Sequence, residues 1–244
     1  MIRNIKEIYQ LRPWYHDFKE LGIKTNFPSK RKYLFWGPEI RQTRENMDQQ
    51  VRKESVISKY IKMALKEIHI EKDSETVSIL DLFCADGYYG FLAQRESLDS
   101  SLTGVDINEK DIFRCKVMSS YLKFGPTKFV HDDVLSYVMR SERHDLILCT
   151  GGLYHISDPE KLLRELRKIT GKFLIVQSAI TVQHNAPDYF ESPNPWFGSW
   201  GTLFTHARLM AWIKNADFEI LDSWVDSRSE PNPLFVGSSY AILR

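Results

Sequence analysis

The chain has 244 residues, of which 43% are hydrophobic and 27% charged, and its formal net charge is +1. This length allows one large α/β domain with an appendage, and the near-neutral charge gives no global indication of nucleic-acid binding. The N-terminus lacks an uninterrupted apolar core and no apolar run is long enough to cross a bilayer, so we expect no signal peptide and no membrane partner. Cys84, Cys115 and Cys149 lack the spacing of metal ligands, so we expect buried, reduced thiols in a cytoplasmic protein and no metal site.

Residues 1–72 are predicted to form a helical extension. A short amphipathic helix begins the chain, Pro13 interrupts it, and Trp14-Tyr15-His16 either docks on the core or acts as a lid that carries aromatic groups to a substrate. Residues 22–38 are irregular and join basic to aromatic side chains, which suits a phosphate or stacked base as well as it suits a solvated loop. That cluster comprises Lys30, Arg31, Lys32, Tyr33, Phe35 and Trp36. Residues 43–70 predict a long helix whose apolar face is marked by Met47, Val51, Ile57, Ile61, Met63, Leu65 and Ile68.

Residues 73–244 form the second predicted domain, in which strand and helix signals alternate. Strands are predicted at 77–81, 101–106, 127–132, 145–150 and 173–178. Helices are predicted from residue 88, at 109–122, at 159–169, and at 205–215 with Thr205 as the cap. This alternation predicts a doubly wound, mostly parallel α/β sheet with right-handed crossovers.

The end of the chain departs from this alternation. Residues 181–203 contain prolines and several aromatic side chains, which is typical of a functional lid. Two strands near 218–225 and 235–243 are expected to close the sheet as an antiparallel hairpin, which brings the predicted total to seven strands.

The stretch 77–90, VSILDLFCADGYYG, carries the principal site signal. An apolar strand breaks at a glycine turn and restarts as a helix, which is how open α/β sheets build a ligand crevice at the carboxyl ends of their strands. Asp81 ends the strand, Asp86 lies in the turn and Asp106 ends the next strand. Three carboxylates at one edge suit a ligand with a positive charge and free hydroxyls, whereas phosphates prefer glycines and a bare helix N-terminus.

These residues resemble the class I S-adenosylmethionine (SAM) dependent methyltransferases. The run from Asp81 to Gly87 is similar to their first motif, although Phe83 and Ala85 stand where glycine is usual. The resemblance also covers the acids that end the second and third strands, the segment 145–159 (DLILCTGGLYHISDP) and the closing helix and strand. It implies a Rossmann-like methyltransferase fold, with SAM as cofactor and S-adenosylhomocysteine as product.

The resemblance also implies roles for individual residues. Asp106 would hold both ribose hydroxyls, and Asp133 would lie near the adenine amino group. The full set expected at the cofactor is Asp81, Phe83, Ala85, Asp86, Gly87, Asp106, Ile107, Asp133, Val134 and Thr150. Two purely structural alternatives stay open, in which Asp81 only caps its strand and Asp133 only caps the following helix.

Within that superfamily, Gly151-Gly152-Leu153-Tyr154-His155 and the early Trp14-Tyr15-His16 resemble the tRNA wobble-uridine methyltransferase and carboxymethyltransferase family. Members of that family transfer a group from SAM or carboxy-SAM to a 5-hydroxyuridine oxygen. The resemblance implies that Tyr154 contacts a transferred carboxylate. Arg228 stands near the position of the family's C-terminal arginine, without the tryptophan-methionine pair that usually follows it.

The chemistry expected is transfer of a methyl group to a hydroxyl of a small polar metabolite or sugar. His155, beside Tyr154 at the crevice mouth, is the candidate general base or orienting group, because its ordinary pKa suits neutral pH. His16 and His184 are rival bases. NAD is disfavoured as the ligand because the turn lacks the G-x-G-x-x-G pattern. Two other functions stay open: a tRNA wobble-uridine methyl- or carboxymethyltransferase, and a non-catalytic SAM-binding subunit.

Overall fold

The computed structural model describes residues 6–12, 14–25, 44–71, 76–183, 186–192, 201–227 and 236–244. Several residues to which a role was assigned from the sequence lie outside these ranges: Pro13, the basic and aromatic cluster from Lys30 to Trp36, His184 and Arg228. The predictions that depend on those residues stay predictions.

A seven-stranded sheet organises the described part of the chain, in the order β3-β2-β1-β4-β5-β9-β8. Its strands are β1 (Val77–Leu82), β2 (Ser100–Asp106), β3 (Thr127–His131), β4 (His144–Thr150), β5 (Thr170–Thr181), β8 (Ile220–Asp226) and β9 (Val236–Leu243). The first five strands run parallel, and β9 and β8 add an antiparallel pair at one edge. The predicted α/β class, the doubly wound mostly parallel sheet and the closing hairpin are confirmed.

The order of the strands reverses between β1 and β4. The chain moves outward from β1 to β2 and β3, and then returns to place β4 on the other side of β1. Open α/β sheets bind their ligands at such a reversal, outside the carboxyl ends of the two strands. The turn after β1 and the turn after β4 therefore face the same crevice.

Seven α-helices lie in the described ranges: α1 (Lys6–Gln10), α2 (Arg44–Glu71), α3 (Tyr88–Glu96), α4 (Glu109–Leu122), α5 (Val134–Val138), α6 (Pro159–Ile169) and α7 (His206–Asn215). Local sequence explains where several of them begin. The Thr205 hydroxyl accepts from the Arg208 amide at 3.0 Å, and Asp158 caps α6, whose first residue is Pro159. The predicted helices at 109–122 and 159–169, and the cap at Thr205, are confirmed.

Helix α2 is 28 residues long and packs against the sheet and α3. Its buried stripe repeats every three or four residues and comprises Ile57, Tyr60, Ile61, Ala64, Leu65 and Ile68. Two residues assigned to the apolar face from the sequence are wrong, because Val51 is 62% exposed and Met63 is 40% exposed. An apolar residue that falls off the stripe by one position points to water.

The N-terminal segment shares its core with the sheet. Trp14 and Phe18 are fully buried in the same apolar cluster as Tyr88 and Phe91 of α3, and the Trp14 indole N–H donates to the Ile8 carbonyl at 2.9 Å. Trp14 therefore docks on the core, as the first of the two sequence interpretations proposed. The division into residues 1–72 and 73–244 stays a prediction.

Two short antiparallel strands lie outside the main sheet: β6 (Phe190–Glu191) and β7 (Leu203–Phe204). Phe190 is 38% exposed, and its ring meets Trp212 of α7 edge-on, with centroids 5.3 Å apart. The Thr202 amide donates to the Tyr154 carbonyl at 2.8 Å. Thr202, directly before β7, therefore lies beside the turn that follows β4.

Candidate functional site

The turn after β1 has the left-handed backbone conformation that favours glycine, although two of its three left-handed positions are not glycine. Phe83 has φ 55° and Ala85 has φ 47°, both in the left-handed region, and Gly87 follows with φ 80°. A side chain in this region costs about 1–2 kcal/mol. The two residues that depart from the methyltransferase motif thus adopt the conformation that its glycines would adopt, and the turn keeps its course.

Replacing Ala85 with glycine is expected to raise the free energy of unfolding by about 0.5–1 kcal/mol. The gain is the relief of left-handed strain, reduced by the greater backbone entropy of glycine in the unfolded chain. Urea unfolding measures it. Ala93→Gly, inside α3, is the matched control and is expected to destabilise by about 1 kcal/mol or more. A loss of stability in Ala85→Gly would contradict the strain argument.

The Phe83 ring lies against Gly152, on the far side of the crevice. A Cβ atom at Gly152 would overlap that ring, so glycine is required there. Gly87, in contrast, is buried against Phe91 and Cys115, and its role in the described structure is to complete the turn. Phe83 thus joins the turn after β1 to the turn after β4.

Asp106 ends β2 beside this turn and is partly buried. Its Oδ2 accepts from the Ala85 amide at 3.0 Å, and its Oδ1 accepts from the Asn108 amide at 2.8 Å. Each carboxylate oxygen has a second lone pair, so the group can accept two further hydrogen bonds. The next side chain, Ile107, is apolar and 69% exposed at the same edge.

At the end of β3, the structure gives Asp133 the role of a helix cap. Its Oδ1 accepts from the Ser136 amide at 2.8 Å at the start of α5, and the residue is exposed. Val134 is 3% exposed and belongs to the core, so it departs from the expectation of a crevice-facing residue.

Asp81 ends β1 within the core, and only 2% of the residue is exposed. Its Oδ2 accepts from the Gly90 amide at 3.1 Å, whereas its Oδ1 has no hydrogen-bond partner among the described residues. Burial raises the pKa of Asp81 to about 8, and the nearby Asp106 and Asp86 act in the same direction. A buried carboxyl oxygen without a donor is costly, and a cationic ligand group would relieve that cost.

The raised pKa of Asp81 predicts how stability depends on pH. Between about pH 4 and pH 8 the unfolded carboxyl has lost its proton and the folded one keeps it, so this group makes stability fall as pH rises. Asp81→Asn cannot ionise. Urea unfolding at pH 5 and pH 8.5 gives the fall in the free energy of unfolding over this range. We expect that fall to be smaller in Asp81→Asn than in the wild type, by an amount on the order of a few kcal/mol. If the free energy of unfolding falls equally with pH in the wild type and in Asp81→Asn, Asp81 is not the cause of the decline.

Asp86 is fully buried and holds the N-terminal segment. Its Oδ2 accepts from the Tyr15 and His16 amides at 2.8 and 2.9 Å, and its Oδ1 pairs with His16 Nδ1 at 2.8 Å. The His16 ring stacks on Tyr88 with centroids 4.7 Å apart. Both oxygens of Asp86 are thus engaged inside the protein, which departs from the expectation that this acid faces the cofactor.

The turn after β4 forms the other wall of the crevice. Thr150 is buried at the end of the strand, Gly151 has φ 92°, and a short 3-10 helix, Leu153–His155, follows. Tyr154 is partly buried, His155 is exposed, and their rings lie 4.2 Å apart. The two predicted acceptor-side residues therefore lie together at the mouth of the crevice.

Three further residues of this crevice were missed at the sequence level: Lys53 of α2, Tyr89 of α3 and Gln177 of β5. Lys53 Nζ lies 2.9 Å, and Gln177 Oε1 3.7 Å, from the position that a Cβ atom at Gly151 would occupy. Lys53 Nζ also lies 5.5 Å from the centre of the Tyr89 ring. No local pattern marks these residues, since Lys53 looks like any charged residue on the polar face of a long helix.

The described residues contain no cluster of His, Cys, Asp or Glu that could hold a metal ion. Within the same ranges, no helix has both the length and the apolar character needed to cross a bilayer.

The sequence profile of a methyltransferase-domain family matches residues 73–217, which is more than half of the chain. The chain belongs to this family. Among curated proteins, it is similar to a tRNA U34 carboxymethyltransferase of Campylobacter curvus, at 26% identity over 204 residues, covering 71% of this chain and 63% of that protein. The chain thus spans less than two thirds of the length of that relative.

Two solved structures illustrate the similarity of this fold to known proteins. The N-terminal domain of EvdMO1, crystallised in the presence of S-adenosylhomocysteine and D-fucose, matches with a TM-score of 0.63 at 17% identity, covering 100% of this chain and 97% of that one. The [4+2]-cyclase SpnF matches with a TM-score of 0.58 at 14% identity, covering 77% and 80%. At these identities the likeness establishes the fold alone.

Proposed function

We propose that the protein is a SAM-dependent methyltransferase that acts on a hydroxyl of a small polar acceptor such as a sugar. The observation that carries the proposal is the acidic crevice at the reversal of strand order. There, Asp106 keeps free lone pairs beside the turn after β1, and the buried Asp81 has an oxygen without a donor among the described residues. A ligand with vicinal hydroxyls and a positive charge would satisfy both groups.

The residues present fit SAM. Asp106 would accept from the ribose hydroxyls, Ile107 would cover one face of the adenine, and Asp81 would attract the amino group of the methionine part. Phe83, Ala85, Gly87 and Thr150 would form the walls of the cofactor site, and Asp133 would lie at its adenine end. When bound, SAM supplies a methyl group on a sulfonium that a nucleophile can attack.

The protein's own contribution would be alignment and exclusion of water. Holding the acceptor oxygen close to the methyl carbon and in line with it can supply on the order of 7–11 kcal/mol of the barrier when the orientation is ideal. Tyr154 and His155 would orient the acceptor at the mouth, beside the segment that Thr202 ties to the Tyr154 carbonyl. The D-fucose present with the EvdMO1 domain supports a sugar-like acceptor.

The curated relative favours a second candidate, methyl or carboxymethyl transfer to tRNA. The basic and aromatic cluster from Lys30 to Trp36 would then contact RNA, and binding would weaken steeply with salt. We place this second because the net charge of +1 provides no broad electropositive field.

A cytoplasmic location agrees with the three free, buried cysteines.

Calorimetry with S-adenosylhomocysteine, SAM and NAD tests the ligand. We expect both sulfur ligands to bind and NAD not to bind, and the reverse result would overturn the proposal. Label from methyl-tritiated SAM is then followed into two pools, total tRNA and a small-metabolite extract rich in sugars. Incorporation into the small molecules supports the first candidate, and incorporation into tRNA the second. SAM binding with no incorporation into either pool would indicate a non-catalytic subunit.

A further inference from the structure

Lys53 lies inside the candidate crevice although it belongs to the helical extension. Helix α2 ends shortly before β1 begins, so its opposite end lies at the carboxyl edge of the sheet. From there the Lys53 ammonium reaches the space beside Gly151, the first residue after β4, and lies over the Tyr89 ring. The backbone at Gly151, with φ 92°, leaves the room that this side chain occupies.

Two residues beside Lys53 carry polar atoms without partners among the described residues. Gln177 Oε1 and Tyr89 Oη are buried and have no hydrogen-bond partner among the described residues. Gln177 shares the space beside Gly151 with Lys53. Two such atoms at one end of a crevice indicate a place for the hydroxyls of a ligand, because leaving each unpaired costs about 1–3 kcal/mol.

The charges that face Lys53 come from three elements. Asp81 at the end of β1, Asp86 in the turn and Glu54 on α2 all favour its charged form, whereas burial opposes it more strongly and lowers the pKa of Lys53 to about 8. Asp81 is coupled electrostatically both to Asp106, at the end of β2, and to Lys53.

We propose that Lys53 is the general base of the reaction, facing the sulfonium methyl group and the acceptor hydroxyl. The inference rests on the proposed function. The neutral amine of Lys53 takes the proton of the acceptor hydroxyl as the oxygen bonds to the methyl carbon, and the carbon–sulfur bond breaks with its electron pair left on sulfur. The charges of Asp86 and Glu54 favour the resulting ammonium electrostatically until it releases the proton to water.

The position of Lys53 favours it over the histidines. His155 is exposed at the mouth, and His16 has its Nδ1 committed to Asp86 and its ring stacked on Tyr88. A positive sulfonium beside Lys53 would also disfavour the charged amine, so donor binding itself would promote the neutral base. General bases of this kind contribute about 10²–10⁴ in rate.

Binding of SAM and S-adenosylhomocysteine tests this arrangement without any acceptor, because the two ligands differ by a methyl group and a positive charge. At each of several pH values from 6.5 to 9, calorimetry gives the affinity for SAM divided by the affinity for S-adenosylhomocysteine. The ratio is measured in the wild type, Lys53→Met and Lys59→Met. At pH 6.5 the charged Lys53 repels the sulfonium, so Lys53→Met is expected to raise the preference for SAM about tenfold. At pH 9 the affinity ratios of the wild type and of Lys53→Met should converge, because most of the Lys53 amine is then neutral.

Controls separate Lys53 from its neighbours. Glu54, whose pKa burial raises to about 7, and Asp81 also titrate in this range and interact electrostatically with Lys53, so the comparison is read at pH 6.5, where the charged Lys53 amine is present in the wild type and absent from Lys53→Met. Lys59, on the same helix, is exposed and pairs with Asp222 at 3.3 Å, so Lys59→Met should follow the wild type at every pH. Lys53→Gln repeats the test with a polar side chain, and urea unfolding checks that both Lys53 variants fold.

Equal affinity ratios in the wild type and both Lys53 variants at pH 6.5 would overturn the inference, even if both ligands bind. Failure of both ligands to bind the wild type would instead overturn the proposed function. Turnover is then measured with the acceptor pool that takes up the label. Lys53→Met should turn over at least about 100-fold more slowly than the wild type, while its affinity for S-adenosylhomocysteine stays within a few-fold. Unchanged turnover would also overturn the base assignment.

Discussion

Replacing Asp86 with alanine is expected to lower the free energy of unfolding by about 3–5 kcal/mol, the largest effect of any single change proposed for this protein. The carboxylate is fully buried and accepts from the Tyr15 and His16 amides while pairing with His16 Nδ1. Its removal leaves three buried groups without their acceptor. It also frees the segment that carries Trp14 and Phe18 into the core.

Urea unfolding measures this loss, and limited proteolysis before residue 25 is expected to accelerate in parallel. Asp17→Ala is the matched control from the same segment, since the Asp17 Oδ1 accepts one amide, that of Thr25, at 3.0 Å. That variant should lose only about 1 kcal/mol. If Asp86→Ala loses no more than Asp17→Ala, the buried contact does not hold the N-terminal segment.

Replacing Asp106 with asparagine is expected to weaken binding of S-adenosylhomocysteine about 100-fold. The change removes a charged acceptor from the ribose hydroxyls, and hydrogen bonds to a charged group are worth about 1.5–3 kcal/mol each. Calorimetry at pH 7.5 gives the two affinities. Because Asp106 also accepts from the Ala85 and Asn108 amides, the thermal midpoint is recorded alongside.

Glu109→Gln serves as the control for this prediction. Glu109 lies in the first turn of α4, three residues after Asp106, and is exposed. The substitution changes the charge of the same surface without altering the end of β2, so its effect on affinity should stay within about threefold. A similar loss in both variants would mean that Asp106 acts through the general field and not through contact.

The sequence predicted the sheet and the acid at the end of β2 because both depend on local patterns. Buried parallel strands are apolar throughout, and a turn that follows such a strand places its residues at the carboxyl edge in every doubly wound sheet. Helix caps such as Thr205 act within four residues and can therefore be read locally. The left-handed turn at Phe83 and Ala85 is a different case, because its residues alone do not favour that conformation.

Only the tertiary structure decided what each acid of the turn does. Asp81 and Asp86 lie five residues apart and are the same residue type, yet one keeps an oxygen without a donor among the described residues and the other holds the N-terminal segment. The partners of Asp86 are about 70 residues away in sequence, and no local pattern encodes that contact. Lys53 and Gln177 likewise meet beside Gly151 only because α2 and β5 converge on the same edge. The sequence by itself therefore determined which strands form the crevice, whereas long-range packing decided which side chains face it.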